Sequence, residues 1–170
     1  MEILEAIRER RSIRNFQKKD IPQKIVDKLI DALIWAPSAG NLQARKFFFV
    51  KDAKLREDIA AAALNQDCIA EAPLVIVGCT DSRISNKYGE RGEYLYSIQD
   101  VAAGIMGMML VAHENGLGTV WVGAIREEEL FGLLNLPQNL RPVAIVPVGY
   151  PVKIPSPPPR VSRQEAVEFR

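Results

Sequence analysis

Apolar residues recur at helical spacing from the start of the chain, with Ile3, Leu4 and Ile7 set among charged neighbours in EILEAIRERR. A second helical pattern follows Asp20-Ile21-Pro22: Ile25, Val26, Leu29, Ile30, Leu33 and Ile34 repeat at three and four. Pro22 suits its first turn, and Pro37 stops it near Ala36, because the residue before a proline is pushed out of the helical region. Lys46–Val50 (KFFFV) reads as a strand and residues 52–64 as an alanine-rich helix. Pro73–Cys79 (PLVIVGC) is a continuous β-branched run, the pattern of a strand covered on both faces. Residues 81–93 are polar and hold two glycines, so they are expected to form a loop or flexible lid. From about Tyr94 to Asn115 comes a long helix, apolar most of the way round and so buried, with Gly116 as its stop. A short extended segment (Gly118–Ala124), a small helix (Glu127–Leu134) and a final strand (Pro142–Tyr150) complete the pattern. The remainder holds five of the 11 prolines and stays extended until about Ser162.

These elements predict an α+β fold of about four strands and five helices without internal repeats. The length of 170 residues suits one domain, residues 1–170, with 151–170 as an extended tail. No apolar run of about 20 residues stands out, and the N-terminus is charged from Glu2 onward, so the expectation is a cytoplasmic chain and no membrane association. Lys plus Arg is 22 against 21 Asp plus Glu, which lacks the broad positive excess of a nucleic-acid binder. Two cysteines, Cys68 and Cys79, belong to no CxxC pair, and His113 is the single histidine. A metal centre or disulfide framework therefore has little support.

Against this near-neutral background, RERRSIRNF packs Arg8, Arg10, Arg11 and Arg14 around Ser12. Two readings stand. Arg10, Ser12 and Arg14 alternate along an extended segment and can converge on a phosphate dianion, since guanidinium forks are planar bidentate donors. Equally, cations are favoured at a solvated helix C-terminus. WAPSAGNLQARKFFFV breaks a helix at Pro37 into a loop of small residues. Asn41 and Gln43 there offer paired donors and acceptors to a flat ligand, or merely cap a turn. ENGLGTVWVGAI places Gly118 and Gly123 around Trp121, which would let backbone N–H groups approach something planar, or simply start a core strand.

Taken in order, RRSIRNF, APSAGNLQ, GLGTVWVGA and the tail PRVSRQEAVEF resemble the nitroreductase-like family of flavoproteins, over nearly the whole chain. The resemblance implies an α/β sandwich with a central, mostly antiparallel sheet flanked by helices. It also implies an intertwined homodimer with FMN in two interface clefts. Carried over residue by residue, Arg10, Arg11, Ser12 and Arg160 would hold the FMN phosphate and Arg14 would lie near the N1/O2 edge of the ring. Pro37, Ser38, Ala39, Asn41 and Gln43 would reach the flavin from the partner subunit. Trp121, Val122 and Gly123 would lie against its N5/O4 edge, and Tyr88 and Tyr94 are candidates for stacking on substrate. The implied activity is ping-pong hydride transfer from NADH or NADPH to a nitroaromatic, quinone or similar small electron acceptor; the alternative is another reaction of the same flavin fold (enone reduction, reductive dehalogenation or flavin fragmentation) or FMN binding without turnover. No side chain would act as acid or base; Arg14 would tune the flavin electrostatically. Three positions depart from the family's usual pattern. Ala44-Arg45 stands where Pro-Trp is common, Gly107 where the long helix often carries Asn, and Val161 where the tail usually has Lys.

Overall fold

The computed structural model describes residues 2–170. It contains α1 (Ile3–Glu9), α2 (Gln23–Trp35), β1 (Arg45–Val50), α3 (Ala53–Ala62), α4 (Asp67–Glu71), β2 (Leu74–Asp81) and α5 (Ser85–Arg91). These are followed by α6 (Ser97–Glu114), β3 (Gly118–Thr119), α7 (Glu127–Leu133), β4 (Leu140–Gly149) and α8 (Arg163–Ala166). The four strands form one sheet in the order β1-β2-β4-β3, with every neighbouring pair antiparallel. A parallel bridge between Ser12 and Thr119 extends the β3 edge.

Period-two alternation along the central strands divides the core. Leu74 and Ile76 of β2, with Ala144, Val146 and Val148 of β4, face one side. There they pack on Val26, Leu29 and Leu33 of α2 and on Val101, Ile105 and Met108 of α6. Val75, Val77 and Cys79, with Ile145, face the other side and meet Ile59 of α3, Ile69 of α4 and Leu130 of α7. Every residue of β2 is buried, as its uninterrupted apolar run requires. The result is a sheet with helices on both faces, as expected.

Residues 81–93 are not a loop. A short 3-10 turn (Ser82–Ile84), α5 and a wide π turn (Gly92–Tyr96) run into α6 with one interruption, Gly89 at φ 57°. The face that buries this stretch is Ile84, Tyr88 and Gly92, and a Cβ on Gly92 would meet Tyr88 Cβ at 2.7 Å. A glycine in that face hides the helical periodicity from the sequence. Within the continuous helical run Ser82–Glu114, one stretch of 18 residues is long and apolar enough, by length and composition alone, to cross a bilayer. Here its apolar face lies on α2 and the sheet. The extended Gly118–Ala124 segment contributes only two residues to β3, with Val122 rejoining the sheet by a bridge to Ile145. Helix formation resumes in the tail at α8, whose N-cap Ser162 and Glu165 form a reciprocal capping box.

Candidate functional site

Two features of the sheet edge place the arginine-rich segment. The Ile13 amide donates to the Thr119 carbonyl at 2.9 Å, the Gln17 amide to Tyr150 at 2.8 Å, and the Val152 amide to Asn15 at 3.1 Å. Ile13 and Phe16 then lie flat on glycines. A Cβ at Gly118 would come within 2.5 Å of Ile13 Cγ1, and one at Gly149 within 2.9 Å of Phe16 Cδ1. With Ile13 turned into the core, Ser12 and Arg14 project to the other side of the extended chain, and Arg14 is exposed.

The cations here have few partners. Arg11 turns back on α1, donating through Nη1 to the carbonyls of Arg8 at 2.6 Å and Arg10 at 2.9 Å. That is a cation on a helix C-terminus, so part of the solvated-end reading holds for Arg11. Arg10 is half-buried, and its Nη1 and the Nε of Arg11 are buried without a hydrogen-bond partner among the described residues. Burial, then the charge of Arg11, then that of Arg160, pull the Arg10 guanidinium below its ordinary value. Arg160 therefore returns from the proline-rich tail to the same place. Its own contacts are weak ones to Pro158 and Pro159 carbonyls. A cavity of about 90 Å³ lined by Glu9, Arg10, Arg11, His113 and Gly118 lies alongside. Converging guanidinium groups with orphaned N–H donors fit a phosphate-type anion, which would satisfy the donors and remove the mutual repulsion.

Trp121, Val122 and Gly123 continue along this edge. Val122 exchanges two 2.9 Å backbone hydrogen bonds with Ile145 and buries its side chain, while Trp121 and Gly123 are exposed. One chain thus brings together Arg10, Arg11, Ser12, Arg14, Arg160 and the Trp121–Gly123 segment on the β3 edge.

The loop at residues 37–43 sits elsewhere. It enters β1, the far edge of the sheet, at the row Arg45–Thr80–Arg141, whereas the arginine segment meets the row Thr119–Val148–Leu74. From standard strand dimensions the two corners lie roughly 20 Å apart along the strands and about 14 Å across them. Within this loop Gly40, Asn41 and Gln43 adopt φ of 56°, 54° and 51°. The left-handed region costs a non-glycine residue about 1 kcal/mol, so the surroundings must impose it. They do so through residues the motif reading passed over. Arg45 donates to the carbonyls of Ile34, Ala36 and Pro37, and Asp100 of α6 accepts from the Ala39 amide at 2.9 Å. Ser38 Oγ accepts from the Gln43 amide at 3.0 Å. Tyr88 places its hydroxyl over Gly40 and its ring edge-on to Tyr96, whereas Tyr94 is exposed. Beside the loop is a cavity of about 660 Å³ lined by Gln43, Arg45, Lys46, Asp81, Arg83 and Asn139, among others.

The chain belongs to the nitroreductase family, whose model matches residues 7–67 and 60–150. A Methanothermobacter thermautotrophicus protein provisionally named an NADH dehydrogenase/NAD(P)H nitroreductase is 32% identical over 91% of this chain and 80% of its own. An FMN reductase [NAD(P)H] of Bacillus subtilis is 29% identical over 99% of this chain and 73% of its own. Among solved structures, B. megaterium NfrA2 superimposes with a TM-score of 0.92 at 25% identity, covering 99% of this chain and 74% of that one.

Proposed function

We propose that the protein is an FMN-dependent NAD(P)H oxidoreductase working as a homodimer. Each site would combine the arginine cradle of one protomer with the loop at 37–43 of its partner. The observation that carries this reading is the Arg10–Arg11–Arg160 cluster, neighbouring guanidinium groups with buried unpartnered N–H donors, in a chain whose family includes an enzyme named for FMN. Arg10, Ser12 and Arg160 would hold the phosphate, and the chain at the exposed Trp121 and Gly123 would lie along the ring. Arg14, on the same side of the segment as Ser12, would supply a fixed cation where negative charge develops. The chemistry that FMN would supply there is hydride transfer from a reduced nicotinamide to an electron-poor acceptor, so no acid–base side chain is required.

The separation of the two corners supports a shared site. So does exposed apolar surface: Ile3 and Leu4 of α1 are 75% and 56% exposed and Trp35 at the end of α2 is 85% exposed. Surface of this kind is ordinarily covered by a partner. The tail from Val152 to Phe169, exposed throughout, would lie on the second copy. Purified protein reconstituted with FMN is expected to be yellow and to bleach anaerobically on adding NADH or NADPH. A protein that takes up no FMN would refute the reading.

A further inference from the structure

The Arg45 guanidinium lies under the end of α2 and gathers carbonyl oxygens that the break at Ala36-Pro37 leaves without N–H partners. Nη2 donates to Ile34 at 3.3 Å and to Ala36 at 2.6 Å, and Nη1 to Pro37 at 2.9 Å and to the Asp100 carbonyl at 3.0 Å. The Ile34, Ala36 and Pro37 oxygens lie at or just past the end of α2, so a cation on them is a C-terminal cap, and the bond to the Asp100 carbonyl ties that cap to the first turn of α6. The group is half-buried, which costs it solvation, and the carboxylate of Asp100 opposes that cost. Asp100 itself is 4% exposed. Its Oδ1 takes the Ala39 amide, and its Oδ2 has no hydrogen-bond partner among the described residues. The exit is tied as well: the Arg45 amide donates to the Gln43 carbonyl at 2.7 Å and Ser38 Oγ accepts from the Gln43 amide.

We infer that Arg45 and Asp100 are positioning residues, a two-point clamp that presets the 37–43 loop for the flavin of the partner protomer. This rests on the FMN reading above. Arg45 starts β1, which is paired along its length with the buried β2, and Asp100 lies in the core helix α6, so the clamp transfers their position to Asn41 and Gln43. Preorganising a contact loop raises affinity by removing the ordering cost that binding would otherwise carry. The left-handed conformations at Asn41 and Gln43 are what such a clamp has to enforce.

The test uses full-length protein with and without added FMN, in the variants Arg45→Ala, Arg45→Lys, Asp100→Ala and Asp100→Asn. Amide hydrogen exchange is read at Ala39 and Gln43 against amides of β2 and β4, and FMN affinity by fluorescence titration. Arg45→Ala and Asp100→Ala are expected to speed exchange at Ala39 and Gln43 while β2 and β4 stay protected, and to weaken FMN binding about tenfold. Asp100→Asn keeps an acceptor for the Ala39 amide and should recover most of both properties. Arg45→Lys cannot span four carbonyls and should recover little. Loosening of the loop with unchanged FMN affinity would overturn the inference, leaving the clamp a purely structural cap. Weakened binding with unchanged loop exchange would overturn it too. If wild-type protein takes up no FMN, the functional reading fails at that point, identified by the wild type alone.

Discussion

Ile13 lies directly on Gly118, with its amide bonded to the neighbouring Thr119 carbonyl at 2.9 Å. That one contact joins the arginine segment to the Trp121–Gly123 segment and sets the height of Arg10 and Ser12 over the sheet edge. Gly118→Ala would put a methyl group into Ile13 Cβ and Cγ, branched atoms close to the backbone that cannot swing away. The expected cost is about 1–3 kcal/mol in denaturant unfolding. FMN affinity should fall as well, since Ser12 moves with Ile13. An Ile13→Ala change, which removes Cγ1 and Cγ2, should cost less in the Gly118→Ala background than on its own.

Arg10 and Arg160 repel each other in the ligand-free protein, yet both would be attracted to the same phosphate. Removing either therefore has opposite effects in the two states. Arg160→Ala should leave the FMN-free protein as stable as wild type or slightly more so. FMN affinity should drop by roughly 1.5–3 kcal/mol, the usual worth of a hydrogen bond to a charged group. Calorimetry on both forms checks this, and added salt should narrow the difference in affinity.

Much of this architecture is readable from residue patterns. β2 appears as an apolar run because both its faces are covered, and α2 appears because Val26, Leu29 and Leu33 share one stripe against the sheet. The helical stretch after β2 is unreadable for a specific reason: Gly92 occupies a buried helical position where a periodicity search looks for a large apolar residue. The cradle is legible as a cluster of arginines, but not the turning of Arg11 onto its own helix end, which depends on where α1 stops. Arg45 and Asp100 escape because their work is on backbone carbonyls and amides, which no motif records. Two signals were available: the departure from Pro-Trp at Ala44-Arg45, and a carboxylate in an otherwise apolar helix.

Asp81 is nearly buried at the end of β2 and accepts from the Arg83 guanidinium, the Arg83 amide and Asn139. These hydrogen bonds, the Arg83 side chain foremost, hold its carboxyl below the usual range. A depressed native pKa contributes stability that is present above the unfolded value near about 4 and lost as pH falls through the native value. Unfolding free energy measured from pH 6 down to pH 2 should therefore fall more steeply in wild type than in Asp81→Asn. Identical slopes would remove this role.

Cys79 lies between the sheet and its helices, and burial pushes its thiol up to about 12. Burial raises Cys68 too, against the pull of Arg14. Native protein at pH 8 should thus react slowly with an alkylating reagent at both positions, because the thiolate is the nucleophile. In denaturant both should react at once, and mass spectrometry of timed samples separates the two sites.

Each flavin site is expected to take its cradle from one chain and its loop from another. Heterodimers purified with two different tags test it directly, with Arg10→Ala/Ser12→Ala in one chain and Gly40→Val in the other. Gly40 sits at φ 56° beneath Tyr88, so a β-branched residue there must displace the loop. Neither variant alone should retain FMN. In the heterodimer one site carries both lesions and the other carries neither, so the prediction is about one FMN per dimer. A heterodimer that binds none would mean that cradle and loop serve the same site from one chain, and would contradict the account.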